Sequence, residues 1–338
     1  MKIVRTDSEL QTPTLDQALR DMGHDLQLLP DGVGEDGLIA ALQDADLLLM
    51  CYTPVTRRAI EAAPKLRGIV KYGVGIDAID LAAAREHSVT VVNIPEYAEE
   101  TVAEGAFALM IALAKKLPAL STQMKAHGWA WPEPAWLGHD IAGKTVGIIG
   151  MGRIGRSMAR MCGQGFHARV ITYSPHTPKD DLPAGVEKCE TLAGLLAQSD
   201  FVSVHCVLND ETHHLLGEAE LAMMKPSAYL INVARGAIID EAALCRAIKE
   251  NRIAGAGLDV FSIEPLNRHD HPLRALYTHE NVVLSPHLTF YTHEAMQRLE
   301  SETLERCTEL LEGRDVRIKS ADPRLRAQTK GVIFVNPE

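Results

Sequence analysis

Short apolar runs alternate with amphipathic stretches along the first part of the chain. The runs at 2–5, 26–29, 46–51, 67–71 and 89–93 are too short for helices and read as strands, and 14–22, 36–44, 56–62 and 80–87 carry helical spacing. Alternation of this length predicts a parallel sheet covered by helices on both faces. From 98 to about 125 the pattern becomes one long helix, with few breakers before Pro118. Strands are expected again at 145–149, 169–173, 201–206, 228–234, 254–260 and 281–285, with Asp240 as N-cap of a helix over 241–250. A charged amphipathic helix follows at 293–313, and the tail 317–338 holds Pro323 and an apolar run at 331–335. A helix alone does not complete a domain, so this end is expected to return to the first block. The prediction is α/β, with two doubly wound parallel-sheet domains: residues 1–98 with 291–338, and an inserted domain of 99–290.

The first strand of the inserted block runs into Gly150-Met-Gly-Arg-Ile-Gly155 and then a helix-compatible segment. In this G-x-G-x-x-G spacing Gly150 permits a tight turn, Gly152 lets backbone approach a pyrophosphate, and Gly155 lets helix and strand pack closely. The phosphates then meet the free N–H groups of a helix N-terminus, at Arg153 and Ile154. The alternative is a plain strand-to-helix turn.

Composition narrows the classes. A length of 338 residues suits two domains, and 46% hydrophobic with 23% charged residues is ordinary for a globular protein. The net charge of −11 argues against a nucleic-acid face. Six scattered cysteines, without a C-x-x-C pair, fit free thiols in a reducing compartment. No signal peptide or membrane span is read, so a cytoplasmic location is expected. Trp129, Trp131 and Trp136 are expected to pack their loop or a subunit contact. His269-Asp-His271 and His213-His214 read as solvated loop residues, and no metal is expected.

Polar residues cluster at the strand ends. Arg235 follows the fourth predicted strand of the second block, Asp259 ends the fifth with Glu264 beyond it, and His287 follows the sixth. Singly, Arg235 also reads as a salt bridge to a neighbouring loop, Glu264 as a structural loop carboxylate and His287 as a satisfied loop residue. Together they supply a carboxylate binder, a proton donor and an acid to orient it. Those groups are what reduction of a 2-oxo acid by hydride requires.

With Gly73-Val74-Gly75, Thr101-Val-Ala-Glu104, the glycine turn, Asn232-Val-Ala-Arg-Gly236, Leu258-Asp-Val-Phe261, Glu264-Pro265 and Ser285-Pro-His287, the chain resembles the D-isomer-specific 2-hydroxyacid dehydrogenase family over nearly its whole length. The Arg, Glu and His lie 29 and 23 residues apart by subtraction, similar to the family's spacing. The resemblance implies a Rossmann cofactor domain inserted into a discontinuous flavodoxin-like substrate domain, and a homodimer formed through the cofactor domain. It implies Arg235, Glu264 and His287 as catalytic residues. Thr101, Gly150, Gly152, Arg153, Ile154, Gly155, Ser174, His176, Lys179, His205, Cys206, Ala234 and Asp259 would bind NAD(P)H, with Asp259 on the nicotinamide carboxamide. Tyr52, Tyr72, Gly73, Val74 and Gly75 would join Arg235 and His287 in binding a small 2-oxo or 2-hydroxy acid, hydroxypyruvate or glyoxylate being the first to try.

Three positions depart from the family pattern. Val207 stands where many members have Pro, and Leu288-Thr-Phe290 follows the His where small or Trp-containing sequences are common. At the end of the second strand, Ser174 replaces the Asp that normally accepts from the ribose 2′-OH. That Asp would repel a 2′-phosphate by roughly 4 kcal/mol at 4 Å and effective dielectric 20. With His176 and Lys179 nearby and no Arg, the balance favours NADP or dual use. The alternative function is an NAD(H)-sensing binding protein of the same fold, as in the C-terminal-binding corepressors. A formate dehydrogenase-like activity fits less well, because Glu264 suits an acid–base cycle.

Overall fold

The structure, a computed structural model, describes residues 1–267 and 269–335; the last three residues of the predicted tail lie outside the described residues. The chain divides into two compact units, Met1–Ala98 with Thr292–Glu338, and Glu99–Tyr291.

In the first unit β1 (Lys2–Arg5), β2 (Asp25–Leu28), β3 (Leu47–Met50), β4 (Gly68–Lys71) and β5 (Thr90–Asn93) alternate with α1 (Pro13–Asp21), α2 (Glu35–Leu42), α3 (Arg57–Glu61) and α4 (Leu81–Glu86). All strand pairs are parallel, in the order β2-β1-β3-β4-β5. This is the flavodoxin-like order. Ile3, Val4, Leu48, Leu49, Ile69, Val70 and Val92 are fully buried, as expected of strands covered on both faces. Each contributes about 1.5–3 kcal/mol of apolar burial. Thr56 and Asp80 cap α3 and α4 by accepting from Ala59 and Ala83 amides.

The second unit opens with α5 (Glu99–Ala114) and α6 (Leu117–His127). The single long helix expected here is therefore two. Pro118 has no N–H for the Ala114 carbonyl, and its ring would crowd it. That carbonyl instead accepts from the His139 amide at 2.7 Å, and the chain turns at Lys116, whose φ is 52°. Next come β6 (Thr145–Ile149), α7 (Arg153–Arg160), β7 (Arg169–Tyr173), β8 (Val186–Lys188), α8 (Leu192–Gln198), β9 (Phe201–Val204) and α9 (Glu218–Ala222). The unit continues through β10 (Tyr229–Asn232), α10 (Glu241–Lys249), β11 (Gly255–Leu258) and β12 (Val282–Leu284). The parallel sheet has the order β12-β11-β10-β9-β6-β7-β8. Among the described residues it holds seven strands where six were expected: β8, only three residues with one apolar side chain, gave no signal in the sequence.

β8 supplies the third strand of the six-stranded 3-2-1-4-5-6 order, and β12 extends the far edge. Side chains alternate between two cores. Val146, Ile148, Phe201, Tyr229 and Ile231 join α5 and α7 on one face. Ile149, Val202, Val204 and Leu230 join α8 to α10 on the other. Asp240 caps α10 as expected, accepting from Ala242 and Ala243 amides at 3.0 Å.

After Tyr291 the chain rejoins the first unit with α11 (His293–Leu311), β13 (Val316–Ile318), α12 (Pro323–Arg326) and β14 (Val332–Phe334). Glu300 on α11 accepts from the Leu15 amide at 2.8 Å. Gln328 takes the place of a neighbouring strand on β5: its side chain accepts from the Val91 amide and donates to the Val91 carbonyl, at 2.8 and 2.9 Å. This satisfies an otherwise open sheet edge. Among the described residues no helix is long and apolar enough to cross a membrane.

Candidate active site

The strand order of the second sheet reverses between β6 and β9, and loops at the carboxyl ends of those strands carry the glycine turn and His205-Cys206. Gly150 has φ 94°, and a Cβ there would lie 2.7 Å from the Cys206 nitrogen. A Cβ on Gly155 would lie 2.2 Å from the Gly150 carbonyl oxygen, so α7 packs directly on the turn. Gly152, the N-cap of α7, has open space where a side chain would be. That open approach to the first amides of α7, at Arg153 and Ile154, fits a pyrophosphate. The Arg153 guanidinium also lies 3.1 Å from Glu99.

Around this turn the polar groups are largely committed. The Ser174 hydroxyl accepts from the Met151 amide at 3.2 Å and shares a 2.8 Å hydrogen bond with Thr177. His176 is exposed, 3.6 Å from Glu211, and Lys179 is exposed in a 3-10 turn. The Lys188 ammonium of β8, absent from the predicted set with its strand, donates to the Thr177 carbonyl at 2.7 Å. Burial pushes His205 down to about 3, so its ring is neutral. Its Nε2 pairs with Ser203 Oγ at 2.8 Å, and its Nδ1 is buried without a hydrogen-bond partner among the described residues. Burial pushes the Cys206 thiol up to about 11. Thr101 is buried in the first turn of α5.

Three further loops at the same end of this sheet bring together the predicted Arg, Glu and His. After β10, the Asn232 side chain accepts from the Ala234 amide at 3.0 Å and donates to the Arg235 carbonyl at 2.9 Å. This buried amide, missed in the sequence because it reads as an ordinary strand end, sets the turn that presents Arg235. After β11, Glu264 Oε1 accepts from the Phe261 amide at 2.8 Å, and Oε2 lies 2.7 Å from His287 Nδ1. Burial alone would raise the Glu264 pKa. The bond and charge of His287, the Phe261 amide and the Arg235 charge outweigh it and hold the carboxyl below its usual range.

His287, after β12, has φ 56°, a left-handed conformation that costs a non-glycine residue about 1–2 kcal/mol. Asp259 offsets that cost. Its buried carboxylate accepts from the Leu288 amide at 3.0 Å, and from the Thr289 amide and hydroxyl at 3.2 and 2.5 Å. Hydrogen bonds to a charged group contribute about 1.5–3 kcal/mol each. Asp259, expected on a carboxamide, thus has both oxygens engaged in holding the turn that follows His287. Phe290 is buried and meets the His287 ring edge-on at 6.3 Å, whereas Leu288 and Val207 are exposed.

Behind these loops the sequence reading needs another correction. His271, expected to be solvated, is buried with Glu241. Its Nδ1 accepts from the Leu273 amide at 3.2 Å and its Nε2 lies 3.3 Å from Glu241 Oε2. His213 and His214 are exposed and stacked at 4.0 Å.

In the first unit, the Gly73 and Val74 carbonyls accept from the Ile94 amide and the Asn93 side chain, at 3.0 and 2.6 Å. Gly73 has φ 145°, and Val74 is exposed. Tyr52 is 40% exposed, but Tyr72 is completely buried and its hydroxyl donates to the Thr6 carbonyl at 2.6 Å. Tyr72, expected to bind substrate, is a core residue of β4's outgoing turn. An aromatic beside a glycine turn carries no signal that separates the two roles.

Comparison with known proteins adds to this geometry. Residues 107–289 match the family model described as D-isomer specific 2-hydroxyacid dehydrogenase, NAD binding domain. A glyoxylate reductase of Korarchaeum cryptofilum is 42% identical over 266 residues, 78% of each chain. D-lactate dehydrogenase of Aquifex aeolicus, solved with NAD and lactic acid, superposes with a TM-score of 0.82 and 29% identity over 92% of this chain and 96% of its own. An acyclic imino acid reductase, Bsp5, solved with NADPH and D-Arg, gives a TM-score of 0.81 and 30% identity, covering 92% and 97%.

The depressed Glu264 carboxyl makes a prediction about stability. A group of this kind stabilises the fold above its unfolded value of about 4.3, and the contribution is lost as pH falls through the folded value. Glu264→Gln should therefore lower the melting temperature at pH 7, and the gap from the unsubstituted protein should shrink as the pH falls below about 4.3. A gap of equal size at pH 7 and pH 3.5 in thermal melts would contradict the charge-based account.

Proposed function

The chain belongs to the D-isomer-specific 2-hydroxyacid dehydrogenase family, and from that premise we propose that it reduces small 2-oxo acids to D-2-hydroxy acids with His287 as the acid. It is an NAD(P)-dependent 2-hydroxyacid dehydrogenase. The observation that carries the proposed mechanism is the 2.7 Å bond between Glu264 and His287, beside the charge of Arg235.

The nicotinamide cofactor, when bound, supplies a hydride to C2 of the oxo acid. Arg235 makes charge-assisted hydrogen bonds to the substrate carboxylate and carbonyl oxygen, which fixes C2 in place. His287 gives the proton from Nε2 to the carbonyl oxygen, because Nδ1 is turned to Glu264. Glu264 accepts from Nδ1 and holds the ring in its orientation. Gly150, Gly152 and Gly155 with the first amides of α7 hold the cofactor pyrophosphate. In the first unit, the Gly73–Gly75 amides are the proposed donors to a carboxylate.

Glyoxylate and hydroxypyruvate are the proposed substrates. Ser174 carries no negative charge toward a 2′-phosphate, and Lys188 stands with His176 and Lys179 at the same loop, so NADP or dual use is the proposed preference. The proposed assembly is a homodimer through the second unit. Ala119 is the sole buried residue of the eleven-residue α6, too little to hold an isolated helix of that length. Leu117, Met124, Trp129, Trp131 and Leu137 are exposed there, an apolar surface that suits a second copy.

Three outcomes are expected. With a panel of 2-oxo acids, His287→Gln should lower kcat by roughly 10²–10⁴ while cofactor binding persists. Near-normal turnover would remove His287 from the mechanism, and cofactor binding without turnover by the unsubstituted chain would favour the NAD(H)-sensing alternative. The ratio of kcat/KM for NADPH and NADH should favour NADPH or be near one. A tenfold NADH preference, about 1.4 kcal/mol, would defeat the assignment. Sedimentation should give twice the chain mass, and Trp131→Asp should shift it toward the monomer; a monomeric unsubstituted protein would exclude the dimer.

A further inference from the structure

Glu264 lies in a segment with little burial of its own: residues 262–265 are exposed, and Ile263 is 66% exposed. An exposed turn does not hold a carboxylate to within a few tenths of an ångström without a tether. The tether visible here is the backbone of Phe261, which carries one amide of its own and joins the next through the Phe261–Ser262 peptide. The Phe261 amide donates to Glu264. One residue on, the Ser262 amide donates to Glu241 Oε1 at 2.8 Å, and the Ser262 hydroxyl donates to Glu241 Oε2. Glu241 sits in the first turn of α10, capped by Asp240, and His271 lies against its Oε2. Two adjacent amides are thus captured by two carboxylates, each paired with an imidazole.

The Phe261–Ser262 peptide also meets the loop that carries Arg235. A Cβ on Gly236 would fall 1.9 Å from the Phe261 carbonyl carbon and 2.2 Å from the Ser262 nitrogen. The residue next to Arg235 therefore packs directly on the Phe261–Ser262 peptide. A shift of that peptide is passed through the Phe261 backbone to the amide that supports Glu264, and it moves the Arg235 turn as well.

We propose that Glu241, backed by His271 and acting through Ser262, is a positioning residue for the reaction: it anchors the Phe261–Ser262 backbone, on which the support of Glu264 and the Arg235 turn both depend. This rests on the reading of Glu264 and His287 given above. Glu241 touches no substrate, and its effect reaches the chemistry through Glu264. A purely structural Glu241 would instead close the interior between α10 and the turn at Pro272–Leu276 and affect stability alone.

A double-mutant cycle separates the two roles. Glu241→Gln should lower kcat roughly tenfold, about 1.4 kcal/mol in the barrier, with the cofactor KM changed less than about twofold. In a Glu264→Gln background the same substitution should change kcat less than about twofold, because the group it positions is already gone. The full factor in both backgrounds, or no kcat effect in either, would overturn the proposal. If Glu241→Gln does not fold, Ser262→Ala takes its place in the cycle, with an expected loss of roughly threefold that also vanishes beside Glu264→Gln. Absence of turnover in the unsubstituted protein would defeat the proposed function instead. The inference is then read from the His287 Nδ1 proton in NMR spectra, broadened by Glu241→Gln or Ser262→Ala if the tether acts and unchanged if it does not.

Discussion

The hydrogen bond from His287 Nδ1 to Glu264 Oε2 is the constraint on which the second unit's strand-end loops converge. Its two partners come from different loops, 23 residues apart, and neither loop is rigid by itself. His287 stands in a left-handed conformation that exists because Asp259 captures the next two amides. Glu264 stands where the Phe261 amide and the buried Glu241–His271 pair leave it. Asn232 does the same for Arg235. Each reacting group is exposed enough to meet a ligand, and each is held by a buried polar group one step behind it.

The sheet supplies the common frame. Parallel strands end together, so the loops after β10, β11 and β12 emerge side by side, and the loops after β6 and β9 emerge at the point where the order reverses. Apolar burial on both faces fixes those ends, and the loops inherit that rigidity through backbone contacts such as Gly155 on Gly150 and Gly236 on Phe261. Glycine matters at these two positions because backbone lies where a side chain would be.

Much of this was legible before any coordinate. Short apolar runs and helical spacing located the main strands and helices, and the G-x-G-x-x-G turn with Arg235, Glu264 and His287 pointed to residues that lie at one end of the second sheet. The misses have physical causes. β8 was invisible because Val-Glu-Lys has no apolar pattern of its own and is a strand only by pairing with β7. The break at Lys116 depends on where the Ala114 carbonyl finds its donor, which is 25 residues downstream by subtraction. Tyr72 and His271 were misread because burial is a property of the packed chain, and a Tyr or His in a loop-like sequence carries no mark of it. Asn232 and Glu241 were missed because each pairs with backbone groups that every residue type supplies, the Ala234 amide and Arg235 carbonyl for Asn232 and the Ser262 amide for Glu241.

Deuterium transfer tests the central claim most directly. With NADPH or NADH deuterated at C4 on the face that is transferred, the protein should convert hydroxypyruvate to D-glycerate carrying one deuterium at C2. The deuterium should be retained in single-turnover conditions and be lost with the activity in His287→Gln. Cofactor binding without deuterium reaching C2 of any acid in the panel, or an L product, would contradict the account.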